Sequence, residues 1–144
     1  MSATPITAGW KEYADFPAWG LRRVKVKLDT GARTAAIGVR RCVLVGTREA
    51  CAAELHIAPY RRKPDRVVVV RVPVVGFKKV RSSDGTTEER PVIEVPIKLG
   101  PVTKVVRATV ADRARMLVKV ILGRHALVPD IVVDPGRKFL LSRG

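Results

Sequence analysis

The sequence predicts an all-β, mainly antiparallel domain with one short helix near the C-terminus. Valine dominates the apolar residues, and apolar and polar residues alternate over several short runs. The 11 glycines and 10 prolines divide these runs into short segments, as in strand-and-turn proteins. A chain of 144 residues can bury one core, and no repeat or linker divides it. We therefore expect an N-terminal arm or short lead-in strand over residues 1–20 and one domain over residues 21–144.

The individual elements follow from the same patterns, taken in chain order. Residues 1–8 are small and polar, which is typical of a frayed arm, and a short element at 9–13 leads to a turn at 16–20. Alternating or continuous apolar runs then predict strands at 21–28, 38–45, 52–57, 67–75, 77–81, 91–99, 102–110, 118–122 and 131–133. The runs at 77–81 and 91–99 form a hairpin, because the polar tip between them contains an Asp-Gly turn signal. One helical turn is expected at 125–127.

The chain is strongly basic, with 28 Lys and Arg against 13 Asp and Glu and a formal charge of +15. Such a surplus favours an acidic partner, such as nucleic acid, an anionic membrane or an acidic polypeptide. A basic surface that only keeps the protein in solution explains the charge equally well. Nearly all of the cations are spread between Arg22 and Arg143 without a basic tail, so the charge alone identifies no partner.

Two cysteines, Cys42 and Cys51, form neither a zinc-binding pattern nor a disulfide framework, and we expect two buried or half-buried thiols. No apolar signal segment follows the N-terminal Met. No uncharged run approaches the roughly 20 residues that a membrane-spanning helix needs. The sequence therefore predicts a cytoplasmic protein without membrane association.

An apolar strand that ends in Asp-Thr-Gly-Ala, at residues 29–32, carries the chemistry. Gly31 lets the backbone turn closely, and the Thr30 hydroxyl can hold the loop, so the carboxylate of Asp29 can face a cleft. Two such carboxylates about 3 Å apart share a proton and act as acid and base. One activates a water molecule while the other polarises a peptide carbonyl. An isolated Asp before a Gly is more often a turn residue, so the surrounding motifs decide the interpretation.

These motifs resemble, in content and order, those of the retropepsin family, the single-domain aspartic peptidases typified by retroviral proteases. In that family the Asp-Thr-Gly-Ala loop follows an apolar strand, a glycine-containing hairpin flap comes later, and two apolar residues, a Gly and an Arg precede a short C-terminal helix. The corresponding segments here are residues 26–32, 83–85 and 121–127, and the resemblance covers roughly residues 21–141. It implies a retropepsin-like acid-protease barrel.

The resemblance also implies roles for individual residues. The catalytic loop would be Asp29, Thr30 and Gly31. Substrate would be bound by Ala32, Arg33, Ser83, Asp84 and Gly85. Structural support would come from Leu122, Gly123 and Arg124.

A bacterial, RimB-like branch of this family, often labelled "ATP-dependent zinc protease", is similar at more positions. The matching segments are residues 9–12, 25–34, 82–85, 90–93, 112–113, 116, 122–124 and 133–135. Members of this branch accompany ATP-grasp peptide ligases of the RimK type, which append Glu residues. The resemblance thus implies a functional link to such a ligase and an acidic substrate.

Neither the zinc nor the ATP of that label matches the residues of this chain. Catalytic zinc needs three protein ligands, and the two histidines, His56 and His125, are far apart and form no His-Glu-x-x-His motif. A phosphate-binding Gly-Lys-Ser or Gly-Lys-Thr loop is also missing from the sequence. We expect no metal and no other cofactor.

Two features depart from the retroviral pattern: the residue that follows Ala32, and the flap candidate, which is less glycine-rich. Arg33 follows the motif where those enzymes carry an acidic residue, which usually pairs with the arginine of the later motif. The partner of Arg124 is therefore open among Glu12, Asp112 and Asp134. Arg33 itself could stabilise ionised Asp29, bind an acidic substrate side chain, or form a surface ion pair.

The sequence contains one Asp-Thr-Gly, so a working pair of carboxylates must take its second member from another copy across a two-fold axis. We therefore expect a homodimer whose activity falls on dilution. The apolar C-terminal residues could pair with their counterparts across that axis or pack inside their own subunit; they are Phe139, Leu140 and Leu141.

The function that these features favour is aspartic endopeptidase activity, with a water molecule activated by the Asp29 pair. An arginine-lined cleft, with Arg33 and neighbours such as Arg81 and Arg90, would favour acidic, Glu-rich peptides. One alternative is a retropepsin-like module that binds peptides or dimerises without cutting. Another is a basic β-barrel that binds nucleic acid, against which the 5% aromatic content and the lack of a known nucleic-acid motif count.

Overall fold

The computed structural model describes residues 4–81, 84–112 and 119–141, and these ranges contain one α-helix and a series of β-strands. The helix, α1, covers Arg124–Leu127. The strands in chain order are β1 (Ile6–Gly9), β2 (Lys11–Phe16), β3 (Leu21–Leu28), β4 (Ala35–Val39), β5 (Arg41–Thr47), β6 (Ala50–Ile57), β7 (Val68–Pro73), β8 (Gly76–Arg81), β9 (Thr87–Leu99), β10 (Val102–Asp112), β11 (Val120–Leu122) and β12 (Ile131–Asp134).

Six of these strands close into a barrel in the order β10-β4-β11-β3-β2-β9, because β9 also pairs with β10. Strand β8 extends the sheet beyond β9. The neighbours are antiparallel except for β4 with β10 and β3 with β11. The prediction of an all-β, mainly antiparallel barrel with one short helix near the C-terminus is confirmed.

The core fills the barrel because its strands present apolar residues at every second position. In β3, Val24, Val26 and Leu28 are buried while Lys25 is exposed. In β9 the buried residues are Ile93, Val95, Ile97 and Leu99. Burying one such side chain contributes roughly 1.5–3 kcal/mol, so the inward faces of these strands hold the barrel closed.

A three-stranded antiparallel sheet, β5-β6-β7, covers one side of the barrel. Its buried residues Ala53, Leu55 and Ile57 join the barrel core. The turn between β5 and β6 reaches the β8–β9 hairpin, where the Arg48 guanidinium lies 2.5 Å from the Glu89 carboxylate. The same guanidinium lies over the ring of Phe77, 4.6 Å from its centroid.

The N-terminal segment is more ordered than expected. Residues 6–8 were expected to fray, but they lie in β1, which pairs in parallel with β12. Strand β2 is a member of the barrel and pairs with β3. The division between residues 1–20 and 21–144 stays a prediction.

The C-terminal segment packs within its own subunit, one of the two arrangements considered from the sequence. The Phe139 amide donates to the Lys11 carbonyl at 2.9 Å, and the Phe139 ring stacks on Tyr13 with centroids 4.6 Å apart. Leu141 packs against the core.

Several strand boundaries differ from the predicted ones, among them those of the runs at 38–45 and 118–122. The run at 38–45 is two strands, because β4 ends at Val39 in the barrel and β5 begins at Arg41 in the three-stranded sheet. Between them the Arg40 amide donates to the His56 carbonyl at 2.8 Å. The run at 118–122 is shorter, with β11 beginning at Val120; residues 113–118 lie outside the described ranges.

Candidate active site

The Asp-Thr-Gly loop leaves the end of β3, where hydrogen bonds from two directions fix the backbone. The Leu28 amide donates to the Trp10 carbonyl at 2.8 Å, and the Asp29 amide donates to the Leu122 carbonyl at 2.9 Å. The backbone that carries the Asp29 side chain is therefore held by β11 on one side and by the β1–β2 corner on the other. Asp29 is half-buried, while Thr30 and Gly31 are exposed.

The loop itself orients the carboxylate. The Gly31 amide donates to Asp29 Oδ1 at 2.9 Å, and the Ala32 amide donates to the Asp29 carbonyl at 3.1 Å. A Cβ atom at position 31 would lie 3.2 Å from that same Oδ1, closer than most side chains approach. Glycine thus allows the backbone to bind the carboxylate closely and leaves Oδ2 for other partners.

A second loop, at residues 122–124, locks against the first. The Arg124 amide donates to the Ala32 carbonyl at 2.8 Å, and the His125 amide donates to the Arg33 carbonyl at 3.1 Å. Gly123 lies so close to this backbone that an added Cβ would be 2.5 Å from the Thr34 carbonyl oxygen. The two loops therefore support each other through the main chain.

The structure supplies a partner for Arg124 that the sequence did not indicate. Its Nη1 donates to the Thr30 carbonyl at 2.9 Å, so a backbone group takes the place of an acidic side chain. Glu12 instead binds three amides of the terminal segments, and Asp134 accepts from the Gly136 amide at 2.9 Å. The side chain of Asp112, the third candidate, lies outside the described part.

A groove of about 510 Å³ opens beside Asp29. One wall is the segment after the catalytic loop, and the other is the β8 arm of the hairpin. The described lining residues are Asp29, Ala32, Arg33, Thr34, Ala36, Lys78, Lys79, Val80, Arg81, Arg90, Thr109 and Ile121. Five of them are cationic and one is acidic, so the groove favours anionic ligands.

The β8 arm of the β8–β9 hairpin, which was predicted to form a flap, lines this groove. Lys78 Nζ donates to Thr34 Oγ1 at 3.3 Å, so the hairpin arm contacts the segment that follows the catalytic loop. At the tip, Asp84 Oδ1 accepts from the Thr86 amide at 3.0 Å, and Gly85 has a left-handed φ of 88°. This hairpin contact gives the groove its second wall.

The predicted site residues divide into two groups. Asp29, Ala32 and Arg33 line the groove. Asp84 and Gly85 are not among its described lining residues, and Ser83 lies outside the described ranges. The role of these residues in substrate binding stays a prediction. The same holds for the catalytic role of Asp29, Thr30 and Gly31. It also holds for the supporting role of Leu122, Gly123 and Arg124.

Sequence reasoning did not select Lys78, Lys79 and Val80, which line the groove from β8. The available signal was their place on the hairpin arm beside the predicted flap tip. Within the described ranges, no group of three or more His, Cys, Asp and Glu is placed to hold a metal ion. No helix in the same ranges is long and apolar enough to cross a membrane.

A closed β-barrel with an Asp-Thr-Gly loop at a strand end, braced by a Leu-Gly-Arg loop, defines a retropepsin-like protein. The chain belongs to the RimB-like family, described as retropepsin-like aspartic endopeptidase RimB, whose model matches residues 7–143.

Curated relatives carry a different name. A probable alpha-L-glutamate ligase of Parasynechococcus marenigrum (strain WH8102) is 33% identical over 132 residues, covering 90% of this chain and 28% of the relative. A probable alpha-L-glutamate ligase of Shewanella pealeana (strain ATCC 700345 / ANG-SQ1) is 32% identical over 145 residues, covering 99% of this chain and 31% of the relative. The chain thus spans less than a third of the length of these relatives.

A solved structure shares the fold. The crystal structure of a protein of unknown function (DUF785) from Legionella pneumophila subsp. pneumophila str. Philadelphia 1 matches with a TM-score of 0.78 at 24% identity. The match covers 96% of this chain and 100% of that chain. At this identity the likeness supports the fold and not the activity.

Proposed function

We propose that the protein is an aspartic endopeptidase in which Asp29 of two copies forms the catalytic pair. The observation that carries this proposal is the Asp29 carboxylate at the edge of a groove, with one oxygen held by the Gly31 amide at 2.9 Å. A loop braced by main-chain hydrogen bonds on both sides keeps that carboxylate in one orientation, as positioned acid–base groups require.

The chemistry of the pair follows from two carboxylates that share one proton. The ionised carboxylate takes a proton from a water molecule, whose oxygen attacks the carbonyl carbon of the scissile peptide bond. The protonated carboxyl group donates a hydrogen bond to the carbonyl oxygen. When the tetrahedral intermediate breaks down, a proton passes to the leaving nitrogen and the C–N bond is broken. In this chain, Gly31 orients Asp29, and the bond from Arg124 to Thr30 stiffens the loop.

The second carboxylate has to come from another copy, since the chain contains one Asp-Thr-Gly. Thr30 and Gly31 are exposed, so a second copy can approach this loop. A two-fold axis beside residues 29–31 would bring the two Asp29 side chains together. The homodimer is thus part of the proposal, and activity should depend on protein concentration.

The substrate that fits the groove is an acidic peptide. Arg33, Lys78 and Arg81 contribute positive charge to its two walls. The relatives are named probable alpha-L-glutamate ligases. A ligase that joins glutamate would produce acidic substrates of this kind. We place the activity in the cytoplasm beside an ATP-grasp ligase of this kind, where it would cut glutamate-rich chains.

The relatives' name also favours a second candidate, a module that binds acidic peptides without cutting them. The part of the ligases that matches this chain is less than a third of their length, as an accessory binding domain would be. Such a module would use the same cationic groove, and Asp29 would be dispensable.

The deciding experiment compares wild type, Asp29→Asn and a matched Asp130→Asn control for cleavage of an acidic peptide library across pH. Asp130 is a suitable control because its carboxylate lies at the surface, 2.8 Å from Lys104 Nζ. We expect Asp29→Asn to lower cleavage by about 100-fold or more, the range of acid–base catalysis, while the control cuts normally. Specific activity should rise with protein concentration.

Other results would redirect the proposal. Cleavage that persists in Asp29→Asn would mean another mechanism. Binding of acidic peptides without cleavage by any variant would favour the binding module. Binding of oligonucleotides in place of peptides would favour the nucleic-acid alternative.

A further inference from the structure

A second concave pocket, of about 360 Å³, lies away from the Asp29 groove, where the loop between β6 and β7 meets strands β2 and β3. We call it the cationic pocket. Its described lining residues are Tyr13, Arg23, Lys25, Pro59, Tyr60, Arg61, Arg62, Lys63, Arg66 and Lys119. Four are arginines, three are lysines and none is acidic, which concentrates positive charge in one concavity.

The loop that forms one side of this pocket, residues 58–66, is fastened to the barrel by side chains. The Tyr60 hydroxyl donates to the Arg22 carbonyl at 2.6 Å, which ties the loop to β3. Lys119 Nζ donates to the Ala58 carbonyl at 2.5 Å. Burial and the nearby Arg40 lower the pKa of Lys119. The cations are thus carried on a positioned loop.

Two arginines of the pocket lie against aromatic rings. The Arg23 guanidinium lies 4.4 Å from the Tyr13 ring centroid, and the Arg66 guanidinium lies 5.0 Å from that of Tyr60. Arg23 has a left-handed φ of 53°, a strained backbone conformation for a residue other than glycine. Its amide donates to Asp15 Oδ1 at 2.9 Å, which stabilises that conformation. The Arg66 guanidinium, held against the Tyr60 ring, is suited to binding a carboxylate through two hydrogen bonds.

A row of lysines leads from the pocket toward the catalytic loop. In the β2–β3 ladder, Tyr13 lies opposite Lys25 and Lys11 lies opposite Lys27. Lys25 and Lys27 share the outer face of β3, and that strand ends one residue before Asp29. At about 3.3 Å per residue, Lys25 and Asp29 are roughly 13 Å apart along the chain. We call Lys11, Lys25 and Lys27 the lysine track.

The charges of the pocket and the track act on one another. The pKa of Lys11 is lowered by burial first, and then by the positive charges of Lys138, Lys25 and Arg61. Lys25 lies in both the track and the pocket, and Arg61 lies in the pocket. An anionic ligand along this surface would relieve that repulsion.

We propose that the cationic pocket and the lysine track form an exosite for the substrate. The exosite binds one acidic segment of a substrate polypeptide while the scissile bond of that substrate lies in the Asp29 groove. This inference rests on the proposed function and adds a second binding site to it. Same-face side chains of an extended acidic chain repeat every second residue, as the lysines of β3 do. Long acidic substrates would therefore bind more tightly than short ones, because two linked contacts reinforce each other.

The pocket favours an acidic peptide over a nucleic acid because it offers few free aromatic faces. Tyr13 is in contact with Arg23 and also stacks on Phe139. The ring of Tyr60 lies beside Arg66. Single-stranded nucleic acids gain much of their affinity from bases stacked on aromatic side chains, and these rings are already engaged.

The test measures binding in the Asp29→Asn background, so that no probe is cut. Fluorescein-labelled oligoglutamates of four and twelve residues are titrated by fluorescence anisotropy, with a twelve-nucleotide single-stranded RNA as a third probe. The loop variant removes three exposed charges: Arg61→Gln, Arg62→Gln and Lys63→Gln. The control variant removes three exposed charges that line neither the pocket nor the Asp29 groove: Arg41→Gln, Arg71→Gln and Lys98→Gln.

We expect the twelve-residue probe to bind the parent at least about 10-fold more tightly than the four-residue probe. The loop variant should weaken binding of the long probe by about 10-fold and of the short probe by less than about 2-fold, as three surface ion pairs allow. The control should change either affinity by less than about 3-fold, through long-range charge alone. If the loop variant fails to fold, a second variant takes its place, with Lys25→Gln and Lys27→Gln in the lysine track. This variant should also weaken binding of the long probe.

Equal losses in the loop and control variants would overturn the proposal, since net charge would then explain them. RNA that binds as tightly as the long peptide and depends on the loop would also overturn it, in favour of a nucleic-acid site. Failure of the proposed function would look different. Wild type would then cut no peptide, while the dependence of binding on peptide length and on the loop remained.

Discussion

Replacing Glu12 by glutamine would change one atom in a site that is closed to water, since Glu12 is 0% exposed. Its Oε2 accepts from the Gly9 amide at 2.7 Å and from the Leu140 amide at 2.8 Å. Its Oε1 accepts from the Leu141 amide at 3.2 Å. One carboxylate thus joins β2 to the N-terminal strand and to the C-terminal segment. Glutamine has the same shape, but its NH2 group cannot accept a hydrogen bond.

The magnitude follows from counting these bonds. In its better orientation, the glutamine oxygen faces Gly9 and Leu140, and its NH2 group faces the Leu141 amide. The hydrogen bond from the Leu141 amide is then lost, and two N–H donors face each other. This change costs about 1–3 kcal/mol. The two remaining bonds change from charge-assisted to neutral, which costs about 0.5–1.5 kcal/mol each. The free energy of unfolding should fall by roughly 2–6 kcal/mol, which lowers the Tm of a chain of this length by about 5–20 °C.

Urea unfolding and thermal melting of wild type, Glu12→Gln and Glu94→Gln would test this value. Glu94 is the control because its carboxylate is exposed and lies 3.4 Å from Arg107, so its loss should cost under about 1 kcal/mol. If Glu12→Gln matched wild type within about 0.5 kcal/mol at an unchanged m-value, the carboxylate would not join the two termini, and the reasoning would be refuted.

Three further outcomes are expected. Gly123→Ala should lower the free energy of unfolding by about 1–3 kcal/mol, because its Cβ would meet the Thr34 carbonyl oxygen; unchanged urea unfolding would contradict this. The hydrogen bond from Arg48 lowers the pKa of Glu89, so the pair should persist as pH falls past the usual glutamate value of about 4.3 and be lost only as pH falls through the lowered pKa of Glu89. In an NMR titration, Arg48→Gln should raise the pKa of Glu89, and an unchanged titration would refute the link. Binding of the twelve-residue oligoglutamate should weaken as NaCl rises from about 50 to 300 mM. An affinity from anisotropy that did not change with NaCl would show that charge does not drive this binding.

The sequence predicted the parts of the site that depend on neighbouring residues. The alternation of Val24, Val26 and Leu28 with lysines sets the inward face of β3, and the position of Asp29 at its end follows directly. The hairpin was also confirmed, because an Asp-Gly turn between apolar runs is a local signal. These features need no knowledge of distant contacts.

The parts that the sequence did not predict depend on contacts between distant segments. Glu12 was one of three candidate partners for Arg124, and its burial arises because Leu140, 128 residues later, folds back onto it. The lysines of β8 became groove residues because the hairpin arm reaches Thr34, 44 residues earlier in the chain. The division of the run at 38–45 was missed for the same reason, since its two halves pair in different sheets.

The β2–β3 ladder connects the stability of the barrel with the proposed chemistry. Side chains alternate between two faces of a strand, so Glu12 and Val26 point into the protein while their neighbours Lys11 and Lys27 lie on the other face. A slip of one residue would place the lysines in the core and Glu12 in solvent. The buried carboxylate therefore helps to specify the register that puts the lysine track on the surface and Asp29 at the end of β3. Substitutions that weaken this register should affect acidic-peptide binding as well as folding, although they touch neither the groove nor the pocket.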